Sequence, residues 1–88
     1  MGYVLGFTDK AKEDVEVFKK SGDKIVLKKV NSLLEQILDT PFSGVGKPEA
    51  LKYELSGYFS RRINREHRLI YKVVDYSIVI YSLRGHYK

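Results

Sequence analysis

Residues 58–71 read Tyr-Phe-Ser-Arg-Arg-Ile-Asn-Arg-Glu-His-Arg-Leu-Ile-Tyr, and they leave the chain few folds. Two half-apolar runs flank a polar tip at Asn64, Arg65 and Glu66, the pattern of a β-hairpin. Arg61, Arg62, Arg65 and Arg68 crowd a segment that also has to help build a core. Pairing symmetric about Arg65 sets Arg62 opposite Arg68, with both side chains on one face. Like charges directly opposite destabilise a strand pair. An anion between them would remove that cost, so the hairpin is a candidate phosphate holder. The alternative is solvated surface charge, since basic surface runs are common.

With 88 residues there is material for one small domain, spanning 1–88. The net charge of +5 favours an anionic partner: nucleic acid, an acidic protein or a membrane surface. Cysteine is absent, which excludes disulfides and thiolate metal sites. The 2 histidines are too few for a histidine-rich metal site, although they could join carboxylates. No apolar run approaches the ~20 residues that span a bilayer. The N-terminal residues lack the basic and long apolar regions of a signal peptide. The expected location is the cytoplasm.

Residues 3–7 form an apolar run that suits a first strand. Thr8 or Asp9 then offers a side-chain oxygen to cap a helix. Ala11, Val15 and Phe18 recur at helical spacing. Ser21-Gly22 ends that helix, since glycine accepts the left-handed conformation cheaply. Asp23 caps a second helix whose stripe is Val26, Val30, Leu33 and Ile37, widened by Leu27, Leu34 and Leu38. Pro41 stops it. So short a turn predicts an antiparallel helix pair with facing apolar stripes. Residues 41–48 make a glycine-rich ordered connector that lacks the Gly-Lys-Ser/Thr ending of a phosphate-binding P-loop. Apolar runs at 51–55, in the hairpin and at 76–83 complete about four further strands. The expected class is α+β, with two N-terminal helices on one face of a largely antiparallel sheet of four to five strands.

Strand side chains alternate between faces. Odd numbering unites Phe59, Ile63, Leu69, Tyr71 and Val73 with Val79, Tyr81 and Leu83, the expected helix-covered face. The even face carries Tyr58, Ser60, Arg62, Arg68, Lys72, Ser82, Arg84 and His86, with Ile70, Val74, Ile78 and Ile80 among them. A mixed basic and aromatic face can contact phosphates and bases of single-stranded RNA. Arg61 falls on the odd face, where it could snorkel past a strand edge or meet a carboxylate.

Six motifs in order resemble one family. They are Gly46-Lys47-Pro48-Glu49, Leu51-Lys52, Leu55-Ser56-Gly57, Ser60-Arg61-Arg62-Ile63, Glu66-His67-Arg68-Leu69-Ile70-Tyr71 and His86-Tyr87. Together they are similar to the YoeB (Txe) toxins of the RelE/ParE superfamily. The resemblance implies a microbial-ribonuclease-like fold. It also implies a ribosome-dependent endoribonuclease that cuts messenger RNA in the A site. An acidic antitoxin of the YefM or Axe kind would hold it inactive, and a homodimer stays open. Carried over by position, Glu49 matches the general base, His86 the general acid, Arg68 the phosphate-stabilising arginine and Tyr87 a tyrosine needed for activity. Lys52, Arg61 and Arg62 match positions that bind or orient RNA phosphate, and Arg84, two residues before His86, is a further candidate RNA contact. Lys88 departs from the family's His-Tyr ending: it displaces the carboxylate normally near that tyrosine and adds a positive charge.

These residue types suit RNA cleavage by the RNA's own 2′-hydroxyl. A base takes the hydroxyl proton and an acid protonates the leaving 5′-oxygen. Histidine, with an unperturbed pKa of ~6.5, exchanges protons near neutral pH. Arginine's planar fork binds two phosphate oxygens at once. Neither a metal nor a cofactor is expected. Outside the resemblance, Glu49 would read as a solvated loop carboxylate and His86 as frayed surface. His67 reads as structural, and Tyr58 and Tyr81 as packing groups. Two other functions compete: a non-catalytic ParE-like toxin that binds a protein, and a basic RNA-binding module.

Overall fold

The computed structural model describes residues 2–42, 49–51 and 56–85. In chain order the elements are β1 (Val4–Phe7), α1 (Asp9–Ser21), α2 (Lys24–Asp39), β2 (Glu49–Ala50), β3 (Tyr58–Arg62), β4 (Arg68–Val74) and β5 (Ser77–Ser82). Both helix starts follow from side-chain caps. Thr8 Oγ1 accepts from the Ala11 N–H at 3.1 Å, and Asp23 Oδ1 accepts from the Val26 N–H at 3.0 Å. Thr8 Oγ1 also donates to the Tyr81 carbonyl at 2.7 Å, so the start of α1 is tied to β5. Gly22 ends α1 with φ of 70°. The expected stripe of α2 is the buried one: Val26, Val30, Leu33 and Ile37. In α1, Ala11 and Phe18 are buried as expected, and so is Asp14.

The sheet order is β1-β5-β4-β3-β2, with β1 parallel to β5 and the other pairs antiparallel. The hairpin tip is where the sequence put it. Asn64 Oδ1 accepts from the Glu66 and His67 N–H groups at 2.9 and 2.8 Å, an Asx turn that closes the loop. Of the strand expected at 51–55, all but Leu51 lies outside the described residues. The described strand is Glu49–Ala50, so Glu49 is a strand residue rather than a loop one. Residues 43–48 of the glycine-rich connector and residues 52–55 lie outside the described residues.

The parity expectation holds for β3 and β4 and fails in β5. Tyr71 pairs with Ile80 and Val73 with Ile78, which sends Ile78 and Ile80 into the core. Val79 and Tyr81 therefore leave the helix-covered face. A bulge between Ile70 and Tyr71 in the pairing with β5 makes Ile70 face Ser82, leaving Tyr81 as the extra residue. The extra residue shifts the alternation by one. Leu83 returns to the core, as expected of it, while Tyr81 meets Tyr58 on the opposite face at 5.4 Å. A strict period of two cannot anticipate an inserted residue.

Arg61 departs from one of its two expectations. It neither snorkels nor reaches solvent: it is 0% exposed. Its Nε donates to Tyr71 Oη at 3.2 Å and Nη2 donates to the Thr40 carbonyl. Tyr71 Oη in turn donates to the Pro41 carbonyl. The end of α2 is thus fastened to the sheet by a buried guanidinium and a buried phenol. Burial pushes the Tyr71 phenol up from its usual value, and the Arg61 hydrogen bond and charge pull the other way.

Candidate active site

The sheet face opposite the helices is assembled by register. Glu49 in β2 pairs with Ser60 in β3, and Ser60 pairs with Ile70 in β4. Arg68 stands two residues before Ile70, hence on the same face. Its Nη1 donates to Ser60 Oγ at 3.0 Å, and its Nη2 lies 3.6 Å from Glu49 Oε1. Three strands so bring a carboxylate, a hydroxyl and a guanidinium together. The Glu49 side chain is 65% exposed and that of Arg68 21%. An ion pair this open contributes ~0.2–1 kcal/mol, too little for it to be a main support of the fold. A carboxylate held open to solvent beside a fixed guanidinium can instead serve a ligand.

Arg62 faces Arg68 directly across β3 and β4, the pairing the hairpin pattern predicts. Arg62 is exposed. Arg84 is exposed too, and its N–H donates to Asp14 Oδ2 at 3.2 Å. Arg61 points away from this face into the interior, so it cannot share their role. Lys52, His86 and Tyr87 lie outside the described residues. The residue before His86 is placed: the Gly85 carbonyl accepts from the Arg68 N–H at 2.8 Å. Gly85 N–H donates to His67 Nδ1 at 2.9 Å.

Ser60 was visible in the sequence only as an even-numbered strand residue, the parity it shares with Arg62 and Arg68. No local signal marks it as the group that orients a guanidinium. Along the same face, Lys72 Nζ lies 5.4 Å from the Tyr58 ring centroid, and Tyr58 packs edge-on against Tyr81. Among the described residues, no group of three or more His, Asp or Glu side chains could hold a metal ion. No helix among them is long and apolar enough to cross a membrane.

The family model for the YoeB-like toxin of bacterial type II toxin-antitoxin systems matches residues 7–87. The chain belongs to this family. Toxin YoeB of Synechocystis sp. is 48% identical over 84 residues, covering 96% of each chain. Toxin YoeB of Escherichia coli strain K12 is 49% identical over 74 residues, covering 84% of this chain and 88% of the relative. Among solved structures, YoeB in the heterotetrameric YoeB–YefM complex of Staphylococcus aureus superposes with a TM-score of 0.86 at 46% identity. That match covers 97% of this chain and 98% of the other. The YafQ structure from E. coli is 19% identical with a TM-score of 0.79, a likeness of fold alone. The expected architecture, two helices on a largely antiparallel sheet, is therefore that of the YoeB family.

Proposed function

We propose that this YoeB-family toxin is an endoribonuclease that cuts messenger RNA in the ribosomal A site. The observation that carries the reading is Glu49 and Arg68 meeting on the open sheet face, with Arg62 opposite Arg68. In the proposed step the Glu49 carboxylate takes the 2′-hydroxyl proton, and O2′ attacks the adjacent phosphorus. The P–O5′ bond breaks, and His86 as imidazolium gives its proton to O5′. The products are a 2′,3′-cyclic phosphate and a 5′-hydroxyl. Arg68 neutralises charge growing on the phosphate oxygens, and Ser60 keeps its fork turned toward them. Arg62, Arg84 and Lys52 would hold flanking phosphates, and Tyr87 would complete the site. Each proton transfer and each charge has a protein group assigned, so the step calls for no metal.

Chain connectivity supports bringing His86 in. Gly85 is bonded to the Arg68 backbone, and successive Cα atoms are about 3.8 Å apart. The YoeB of S. aureus has been solved both as a dimer and with YefM. By that likeness, an acidic antitoxin is the proposed partner here, drawn to a chain of net charge +5.

Primer extension on a translated message after induction tests the proposal. New 5′ ends at A-site codons are expected. Growth arrest without such ends would reject the enzyme in favour of a toxin that acts by binding a protein. His86→Ala and Arg68→Ala should each restore growth while antitoxin binding persists.

A further inference from the structure

The last described residues run past the end of β5, and their N–H groups are all taken. Leu83 and Arg84 donate to one oxygen of Asp14, at 2.9 and 3.2 Å. Asp14 is 1% exposed and paired with Lys10 at 2.7 Å. Gly85 donates to His67 Nδ1 at 2.9 Å and returns its carbonyl to the Arg68 N–H. The His67 ring is itself held, edge-on to Phe18 with centroids 5.3 Å apart. Because Nδ1 accepts, the ring proton sits on Nε2, on the side of Glu66 Oε2 at 3.9 Å.

We infer that Asp14 and His67 are positioning residues for the cleavage reaction: together they clamp residues 83–85, the stretch that leads into His86, with Gly85 held against the Arg68 backbone. A backbone segment that runs off a sheet edge ordinarily frays. Here a buried carboxylate from α1 and an imidazole from the hairpin take the three N–H groups instead. Among the described residues, neither side chain is hydrogen-bonded to that of Glu49, Ser60 or Arg68, so each acts through residues 83–85. The inference rests on the reading of His86 as general acid. Effective positioning matters steeply, because a displacement of ~1 Å at the reacting groups can cost ~100-fold in rate.

The test pairs amide hydrogen exchange with steady-state cleavage of a ribosome-bound message, both on the full chain. In His67→Ala, Gly85 exchange should rise about tenfold, the scale of one hydrogen bond removed. The kcat should fall about tenfold or more with KM within about twofold, the sign of weakened transition-state alignment. His67→Asn sets a carbonyl oxygen close to the Nδ1 position and should restore both values, although it lacks the ring that packs on Phe18. Asp14→Asn should raise exchange at Leu83 and Arg84. Unchanged Gly85 exchange in His67→Ala would overturn the clamp. So would a His67→Asn protein as impaired as His67→Ala, because packing would then be the cause. If His67→Ala does not fold, unchanged Leu83 and Arg84 exchange in Asp14→Asn overturns it instead. A wild-type chain that cuts no RNA would sink the enzyme reading alone, and amide exchange would still decide the clamp.

Discussion

Arg62 and Arg68 are register partners, two guanidinium-bearing residues placed directly across a strand pair. Arg68 has Ser60 and Glu49 beside it, and Arg62 is exposed. Repulsion between like charges at this spacing costs stability, and a bound phosphate would offset it. Arg62→Ala should weaken RNA binding at low salt and lessen its dependence on salt. For single-stranded RNA, the slope of log K against log salt should become shallower by ~0.7 for each phosphate that Arg62 neutralises. A filter-binding series over salt concentration measures it, and an unchanged slope counts against Arg62 as a phosphate ligand.

Arg68 and Glu49 should respond as chemical groups. Arg68→Lys keeps the charge and removes the fork, and cleavage should drop about 100-fold, near the ~3 kcal/mol typical of deleting a charge-stabilising donor. Glu49→Gln keeps the shape and cannot accept a proton, so kcat should fall at least as far. Thermal unfolding should move little in both variants, since the pair is open to solvent. Single-turnover cleavage together with a melting curve separates impaired chemistry from an impaired fold.

Arg61 should behave in the opposite way. It is buried and bonded to Tyr71 and to the Thr40 carbonyl. Hydrogen bonds to a charged group contribute ~1.5–3 kcal/mol each. Arg61→Met should cost about 3 kcal/mol of stability by urea denaturation. A stable Arg61→Met protein with weakened RNA binding would return this residue to the RNA-contacting set.

Tyr71 sets an alkaline limit. Its phenol is pushed up in the folded state, so the unfolded chain loses the proton first as pH rises past ~10. Between that value and the folded one the unfolded state binds fewer protons. Stability from this group is complete below pH ~10 and declines above it. Tyr71→Phe should be less stable at pH 8, because its bonds to Pro41 and Arg61 are gone. Its further decline between about pH 9.5 and 11 should be smaller than that of the wild type. Urea denaturation at about pH 8, 9.5 and 11 gives the difference.

The helices were legible because their signals are local. A cap, a stripe repeating every three to four residues and a terminating glycine or proline act within a few residues of one another. The hairpin was legible for the same reason, down to the Arg62–Arg68 pair. The family motifs singled out Glu49 and Arg68, whose side chains lie 3.6 Å apart; their catalytic roles are the proposal. What the sequence could not supply is anything that depends on a count across strands. One extra residue at Tyr81 reversed the faces of Val79 and Tyr81 while leaving Leu83 correct. The inward turn of Arg61 depended on where Thr40 and Pro41 came to rest. The seating of Gly85 on His67 and Arg68, with Asp14 beneath Leu83 and Arg84, joins residues far apart in the chain. Such bonds exist only once the sheet has closed, because the Leu83, Arg84 and Gly85 donors lie beyond the end of β5 and take the acceptors that the packed helix and hairpin bring to them.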